Sequence, residues 1–125
     1  MTRMLFISIE NVVEEVDVKE DDISKKINGD LEIVRPRGLP NLCLLVDEEG
    51  LLKQKPINKV GSLWYGYLNH GHPIVGDILV SKLDGEGNLI DLSIDDIAYT
   101  RGEIMNMINY AWQLLEKTKQ SDIKK

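Results

Sequence analysis

Cysteine is almost absent from the sequence: Cys43 is the only one among 125 residues. A single cysteine excludes a disulfide within the chain, so nothing in the sequence favours an oxidising compartment. Cys43 lies in the apolar run 42–46, where a cysteine ordinarily packs as a small apolar side chain and not as a nucleophile. We therefore expect a buried thiol on a strand.

Long apolar segments are also lacking. No stretch approaches the ~20 residues that cross a membrane. The apolar start of the chain is too short for a signal peptide and soon reaches an acid, Glu10. We expect a cytoplasmic protein that does not associate with membranes.

Positive charge is in deficit. The 15 lysine and arginine residues face 21 aspartate and glutamate residues, which gives a formal net charge of −6. This field disfavours binding to a polyanion, so we expect no nucleic-acid polymer as a partner. An inhibitor that imitates DNA is a minor alternative, because such mimics usually carry dense acidic faces and the acidic runs here are short.

The rest of the composition is that of an ordinary globular domain. With 42% hydrophobic and 29% charged residues, the chain has enough apolar surface to offset its conformational entropy. Its length suits one hydrophobic core. We expect a single domain over residues 1–125, with the core at about 4–97 and a C-terminal helical addition at about 98–120.

Alternating or continuous apolar positions between turn signals predict strands at 4–9, 12–18, 31–34, 42–46, 76–82 and 89–90, and a short helix at 23–27. Gly50 is expected to turn the chain back through Leu51 and Leu52. The predicted fold is α+β: a mostly antiparallel sheet of about six strands, with one short helix and a long C-terminal helix packed on one face.

The C-terminal helix is the most regular pattern. Thr100 and Glu103 have capping-box spacing, so the long helix is expected to begin there and to run to about Lys119. Its apolar stripe consists of Ile104, Met107, Ile108, Ala111, Leu114 and Leu115. Met105 and Trp112 widen that surface beyond the cover of one sheet face, which favours a homo-oligomer formed through this helix.

Between residues 53 and 73 the periodicity fails, and an irregular segment of this length is usually functional. Aromatic rings stack on a purine, guanidinium groups match phosphate, and amide or imidazole groups bond a base or ribose. The candidate ligand-binding residues are Arg35, Arg37, Asn58, Trp64, Tyr65, Tyr67, Asn69 and His70. The alternative is that Trp64 and Tyr67 fill the core while the arginines are solvated.

Other kinds of site have weaker support. His70 and His72 are close in sequence, but a metal site would need Asp77 as a further ligand. The same three residues are the plausible acid and base groups, and no nucleophile elbow, Walker loop or dinucleotide fingerprint accompanies them. We expect no metal, no cofactor and no catalytic residue.

Four short motifs carry a resemblance to a known family. They are DEEG at 47–50, PIN at 56–58, IVGD at 74–77 and LSIDDI at 92–97. With them the chain resembles domain of unknown function 3846, a family of small proteins common in phages, prophages and conjugative elements. The motifs are turns and strand ends, so the resemblance implies a setting and not a chemistry.

The setting implied is a gene of a mobile element, whose small proteins often counter host defences. Some phage proteins of this size hold a host signalling nucleotide without reacting with it. We therefore expect a non-enzymatic phage or mobile-element protein of the host cytoplasm. It would sequester an immune-signalling nucleotide, a cyclic oligonucleotide or an ADP-ribose derivative, to block anti-phage defence. The alternatives are an inhibitor that binds a host defence protein directly, and an unrecognised hydrolase.

Overall fold

A computed structural model describes residues 1–36, 41–66 and 70–123 of the chain. Within these residues the α+β prediction is confirmed: six strands form one antiparallel sheet, accompanied by two short helices and one long one. The elements in chain order are β1 (Thr2–Ile7), β2 (Val13–Val18), α1 (Ile23–Ile27), β3 (Leu31–Val34), β4 (Leu42–Asp47), α2 (Lys59–Tyr65), β5 (Ile78–Leu83), β6 (Leu89–Ile90) and α3 (Ile94–Ile123).

The sheet has the strand order β2-β1-β5-β4-β3, and β6 pairs with the end of β5. The first two strands form the predicted hairpin, in which Asn11 adopts a positive φ of 67° at the turn. An asparagine tolerates that left-handed conformation better than most side chains do. The two most apolar strands, β4 and β5, lie inside the sheet, where both of their faces are covered.

Each face of the sheet carries its own apolar cluster, because alternate residues of a strand point to opposite sides. One cluster packs under α2 and the first half of α3 and includes Leu5, Ile7, Leu44, Val80, Trp64, Leu92, Ile97 and Ile104. The other packs under α1 and includes Met4, Ile23, Ile27, Cys43, Leu45 and Leu79. The predicted buried thiol is confirmed, since Cys43 is 0% exposed.

The prediction that the chain turns back through Leu51 and Leu52 into an antiparallel pairing is wrong. Both residues lie in consecutive turns, and Leu52 is 85% exposed. The reason is that β4 already has β3 on one side and β5 on the other, so neither edge is open for a returning strand.

The prediction that residues 53–73 have no regular structure is wrong in part, because α2 lies within them. Asn58 caps this helix by accepting a hydrogen bond from Gly61 N at 2.8 Å. Gly66, with φ of 82°, ends the helix in the left-handed conformation that glycine accepts without strain. A helix of seven residues with a glycine in its first turn gives too weak a periodic signal to be seen in sequence.

The long helix begins at Ile94, earlier than predicted. Ser93 and Asp96 form a reciprocal capping box: Asp96 N donates to Ser93 Oγ at 3.0 Å, and Ser93 N donates to Asp96 Oδ2 at 2.9 Å. Thr100 and Glu103 therefore lie inside the helix, and Thr100 is buried. Among the described residues, none of the helices is long and apolar enough to cross a membrane.

Candidate functional site

The three motifs at 47–50, 56–58 and 74–77 meet at one end of the sheet. Asn58 N donates to Ile74 O at 2.9 Å, and Gly76 N donates to Pro56 O at 2.8 Å. Ser62 of α2 adds a double contact, since its hydroxyl accepts from Ile74 N at 2.9 Å and donates to Ile74 O at 3.0 Å. The segment before α2 and the segment before β5 are therefore held together by hydrogen bonds.

Asn58 is the centre of this junction. Its side chain is 0% exposed, and Nδ2 donates to Ile7 O and to Gly76 O, each at 2.9 Å. Since its Oδ1 accepts from Gly61 N, every hydrogen-bonding group of the amide except one lone pair is used inside the fold. The structure thus places this candidate ligand-binding residue in the core, joining β1, α2 and the approach to β5.

Asp47 forms the second part of the junction. Its buried carboxylate accepts hydrogen bonds from Lys55 Nζ at 2.7 Å, Lys53 Nζ at 2.9 Å and Glu49 N at 3.0 Å. Burial by itself raises the pKa of Asp47, but the hydrogen bonds from Lys55, Lys53 and Glu49 outweigh it and hold that pKa well below its usual range. The carboxylate is therefore a structural anion at neutral pH.

Three rings, those of Tyr65, His70 and His72, form a cluster at the C-terminal end of α2, here called the ring cluster. The rings of Tyr65 and His70 are stacked, with centroids 4.0 Å apart and planes inclined by 16°. The Tyr65 hydroxyl lies 3.5 Å from His72 Nε2. Tyr65 is buried while both histidines are exposed, so one face of the stack is offered to solvent.

Beside the ring cluster lies a groove of about 200 Å³, here called the acidic groove. Glu32 and Glu48 stand on one side of it and His72 on another, and Val34, Val46 and Ile74 form much of its apolar floor. Burial and the negative charge of Glu32 raise the pKa of Tyr65. The phenol is therefore a neutral hydrogen-bonding group next to acceptor carboxylates.

Trp64 and Arg35 have different surroundings in the fold. Trp64 is only 4% exposed and belongs to the cluster under α2 and α3. Arg35 follows β3 and is exposed, and its charge lowers the pKa of the Cys43 thiol against the larger, opposite effect of burial. Trp64 thus fills the core, whereas Arg35 is exposed at the surface.

Of the other candidates, Tyr65 and His70 are brought together, as the ring cluster shows. Arg37, Tyr67 and Asn69 lie outside the described residues. Glu32 and Glu48 are not among the ligand contacts predicted from sequence, and His72 is a candidate there only as a metal ligand or an acid–base group. The spacing of Glu32 and Val34, two residues apart in a strand, could have indicated that an acid lies beside the apolar floor, because both side chains then point to the same face.

No group of three or more His, Cys, Asp or Glu residues in the described part of the chain is arranged to hold a metal ion. Asp77, the third ligand considered with His70 and His72, accepts a hydrogen bond from Ile9 N at 2.9 Å. Its carboxylate is thereby engaged in holding the end of β1.

Comparison with known proteins gives one finding. No curated protein and no solved structure matches the chain. A family model does match, over residues 1–108, and its description is domain of unknown function (DUF3846). The match covers the whole sheet, both short helices and the first half of α3. The chain therefore belongs to the family of domain of unknown function 3846.

Proposed function

We propose that this protein is a non-enzymatic binding protein that sequesters a small nucleotide-type ligand, whose base stacks on the ring cluster at the mouth of the acidic groove. The observation that carries the proposal is the stack of Tyr65 and His70, one face of which is exposed beside a groove of about 200 Å³. Stacking of a base on an aromatic side chain contributes about 1–3 kcal/mol.

The polar groups around the stack suit a nucleobase. Glu32 and Glu48 are acceptors for exocyclic amino groups, and His72 adds a ring nitrogen that donates or accepts according to its tautomer. The phosphate-binding part of the proposal concerns Arg35 and Arg37. Base recognition at the ring cluster needs neither arginine, because Tyr65, His70 and His72 supply the stacking face and the polar edge.

The hydrogen bonds of the Asp47 carboxylate favour binding without turnover. A general base needs a carboxylate that can accept a substrate proton. Asp47 lines the groove, but two lysines and a backbone amide already hold it as an anion. The groove thus offers hydrogen-bonding side chains to a ligand, while the Asp47 carboxylate is already used in holding the fold together.

The biological part of the proposal follows from family membership and from the expected setting of that family. A phage or mobile-element protein that holds a host immune-signalling nucleotide, a cyclic oligonucleotide or an ADP-ribose derivative, would block anti-phage defence by lowering the free concentration of the signal. Such a protein would act in the host cytoplasm and would release its ligand unchanged.

A thermal-unfolding scan against cyclic dinucleotides, cyclic trinucleotides and ADP-ribose derivatives tests this function. A ligand at about 1,000 times its Kd adds about 4 kcal/mol to the folded state, so the midpoint should rise by many degrees. Mass spectrometry of the ligand released by denaturation should recover it intact. A flat panel would contradict the nucleotide proposal, and recovery of a hydrolysed product would replace it with the hydrolase alternative.

The site itself is tested with matched variants. His70→Ala should remove most of the midpoint shift, because it deletes the exposed half of the stack. Lys25→Ala is the control, since Lys25 is exposed on α1 on the other side of the sheet. Arg35→Ala tests the arginine contribution separately. Equal shifts in the wild type and in His70→Ala would show that the ligand binds elsewhere.

A protein partner is the second candidate function, and one observation favours it. An apolar surface lies along α2 and the outer half of α3, with Leu63, Trp112 and Leu115 all exposed. Surfaces of this kind mark interaction sites. An inhibitor acting directly on a host defence protein would retain that protein in a pull-down and would ignore nucleotides.

A further inference from the structure

The apolar stripe of α3 continues beyond the part that the domain covers. Ile104 is 4% exposed and packs in the core, Ile108 and Ala111 are half-buried, and Leu115 is 55% exposed. The steps from 104 to 108, 111 and 115 alternate between four and three residues. This is the heptad spacing by which one helix packs along another, so the seam continues outward without a neighbour to cover it.

A groove runs beside the uncovered part of this seam. It has a volume of about 390 Å³, and its walls are Val60 and Leu63 of α2 and Ala111, Trp112 and Leu115 of α3. A second hollow, of about 350 Å³, lies on the other side of Leu63 and is lined by Ile57 and Pro73. The two share Leu63 and Lys59, so they form one apolar surface, here called the α2–α3 surface.

Among the described residues, Lys59 is the only charged one that lines either hollow, and it makes no ion pair with any of the others. An ammonium group in an apolar surface is favoured when a partner brings a carboxylate to it. The occupant of the surface should therefore be apolar along one side and carry an acid at its margin.

A second copy of the chain has both properties. Its own α3 offers Trp112 and Leu115 as exposed apolar side chains, and Glu116 follows directly as an acid that is unpaired among the described residues. Ala111, a small residue near the middle of the uncovered seam, lets two helix backbones approach closely. One surface thus contains a groove and the helix edge that fits it, as a two-fold symmetric contact requires.

We propose that the protein forms a two-fold symmetric dimer in which the outer halves of two α3 helices pack antiparallel, crossing near Ala111. Each helix places Trp112 and Leu115 in the groove of its partner, and Glu116 pairs with Lys59 of the partner subunit. This dimer is independent of the nucleotide proposal, because the groove between α2 and α3 shares no lining residue with the acidic groove; only the second hollow meets the acidic groove, at Pro73.

Sedimentation equilibrium of the full chain tests the dimer. The wild type should be dimeric, and Leu115→Asp should be monomeric because it places a charge in the seam. Met105→Asp is the matched control: Met105 is 56% exposed on the same helix but does not line the groove, so this variant should remain dimeric. A monomeric wild type would overturn the proposal, and so would a Leu115→Asp variant that dimerises as well as the wild type.

The ion pair is tested by exchanging charges. Lys59→Glu and Glu116→Lys should each weaken the dimer by about tenfold, because each places like charges together. The double variant should recover most of the lost dimer affinity. A double variant whose loss equals the sum of the two single losses would contradict the pairing. Ala111→Cys should form an intersubunit disulfide under mild oxidation. This test does not depend on a substitution that destabilises the fold. If circular dichroism shows that Leu115→Asp is unfolded, Trp112→Ser replaces it with the same expected result.

Discussion

Lys55 Nζ donates to Asp47 Oδ2 at 2.7 Å and also to Asn28 O at 2.7 Å and Ile27 O at 3.0 Å. All three ammonium protons are therefore used, and one lysine joins the end of β4 to the C-terminal end of α1. Gly29 packs against the other side of the carboxylate, where an added Cβ would collide with Asp47 Cγ. These contacts connect the turn after β4 with the helix on the α1 face.

Removing the Lys55 ammonium should destabilise the fold strongly. Lys55→Met keeps most of the side-chain volume but leaves a buried carboxylate with one lysine, so we expect a loss of about 2–4 kcal/mol in the free energy of unfolding. Urea denaturation measures it. Lys53→Met is the control, and a smaller loss is expected because Lys53 is much more exposed than Lys55. Equal losses would contradict the special role of Lys55.

The pH dependence of stability should carry the signature of Asp47. Its folded-state pKa is held below the unfolded-state value of about 3.9. The stabilisation from this group is therefore complete above that value and is lost as pH falls towards the folded-state pKa. Unfolding free energies measured between neutral and acidic pH should fall steeply on the acid side. Asp47→Asn should be less stable at neutral pH and should show a shallower acid slope; an unchanged slope would refute the assignment.

Asn58 should stabilise the fold whether or not a ligand is bound. Asn58→Asp keeps the oxygen that caps α2. It replaces the amide Nδ2, which donates to Ile7 O and Gly76 O, with a carboxylate oxygen that cannot donate. We expect a loss of about 3 kcal/mol. Asn106→Asp, at an exposed position of α3, should change stability by less than about 0.5 kcal/mol. A stable Asn58→Asp protein would mean that the junction tolerates the loss of both donors.

Two glycines should respond in opposite directions to the same substitution. Gly102 lies inside α3, and an added Cβ would meet nothing within 4 Å. Gly102→Ala should therefore raise stability by about 0.5–1 kcal/mol, since alanine favours a helix interior over glycine. Gly29→Ala should lower stability, because its Cβ would collide with the Asp47 carboxylate. Thermal unfolding midpoints compare the two, and a change of the same sign in both would be inconsistent with the packing described here.

Cys43 should be inert in the folded protein. Burial is the main cause that raises the pKa of its thiol to about 11, and the side chain is 0% exposed. Alkylation by iodoacetamide at neutral pH should therefore be slow and should accelerate on addition of denaturant. Rapid labelling without denaturant would indicate that the cluster under α1 opens readily.

The local patterns of the sequence predicted most of the fold. Alternation gave the β1–β2 hairpin, the continuous apolar run gave β4, and the 3.6-residue period gave the long helix. The errors arose where local signals were ambiguous. Two capping boxes lie seven residues apart, and the helix begins at the earlier one. Lys82 of β5 also bonds Asp96 of that box, at 3.0 Å, a contact between elements that the sequence does not display.

What the sequence determined by itself is therefore which segments form strands and helices and which of their faces are apolar. Only the tertiary structure decided that Asn58 reaches Ile7, that Lys55 reaches Asn28, and that Trp64 lies in the core under α2 and α3. The physical reason is that periodicity reports burial along one element, while contacts between distant residues depend on which strands pair and in what order.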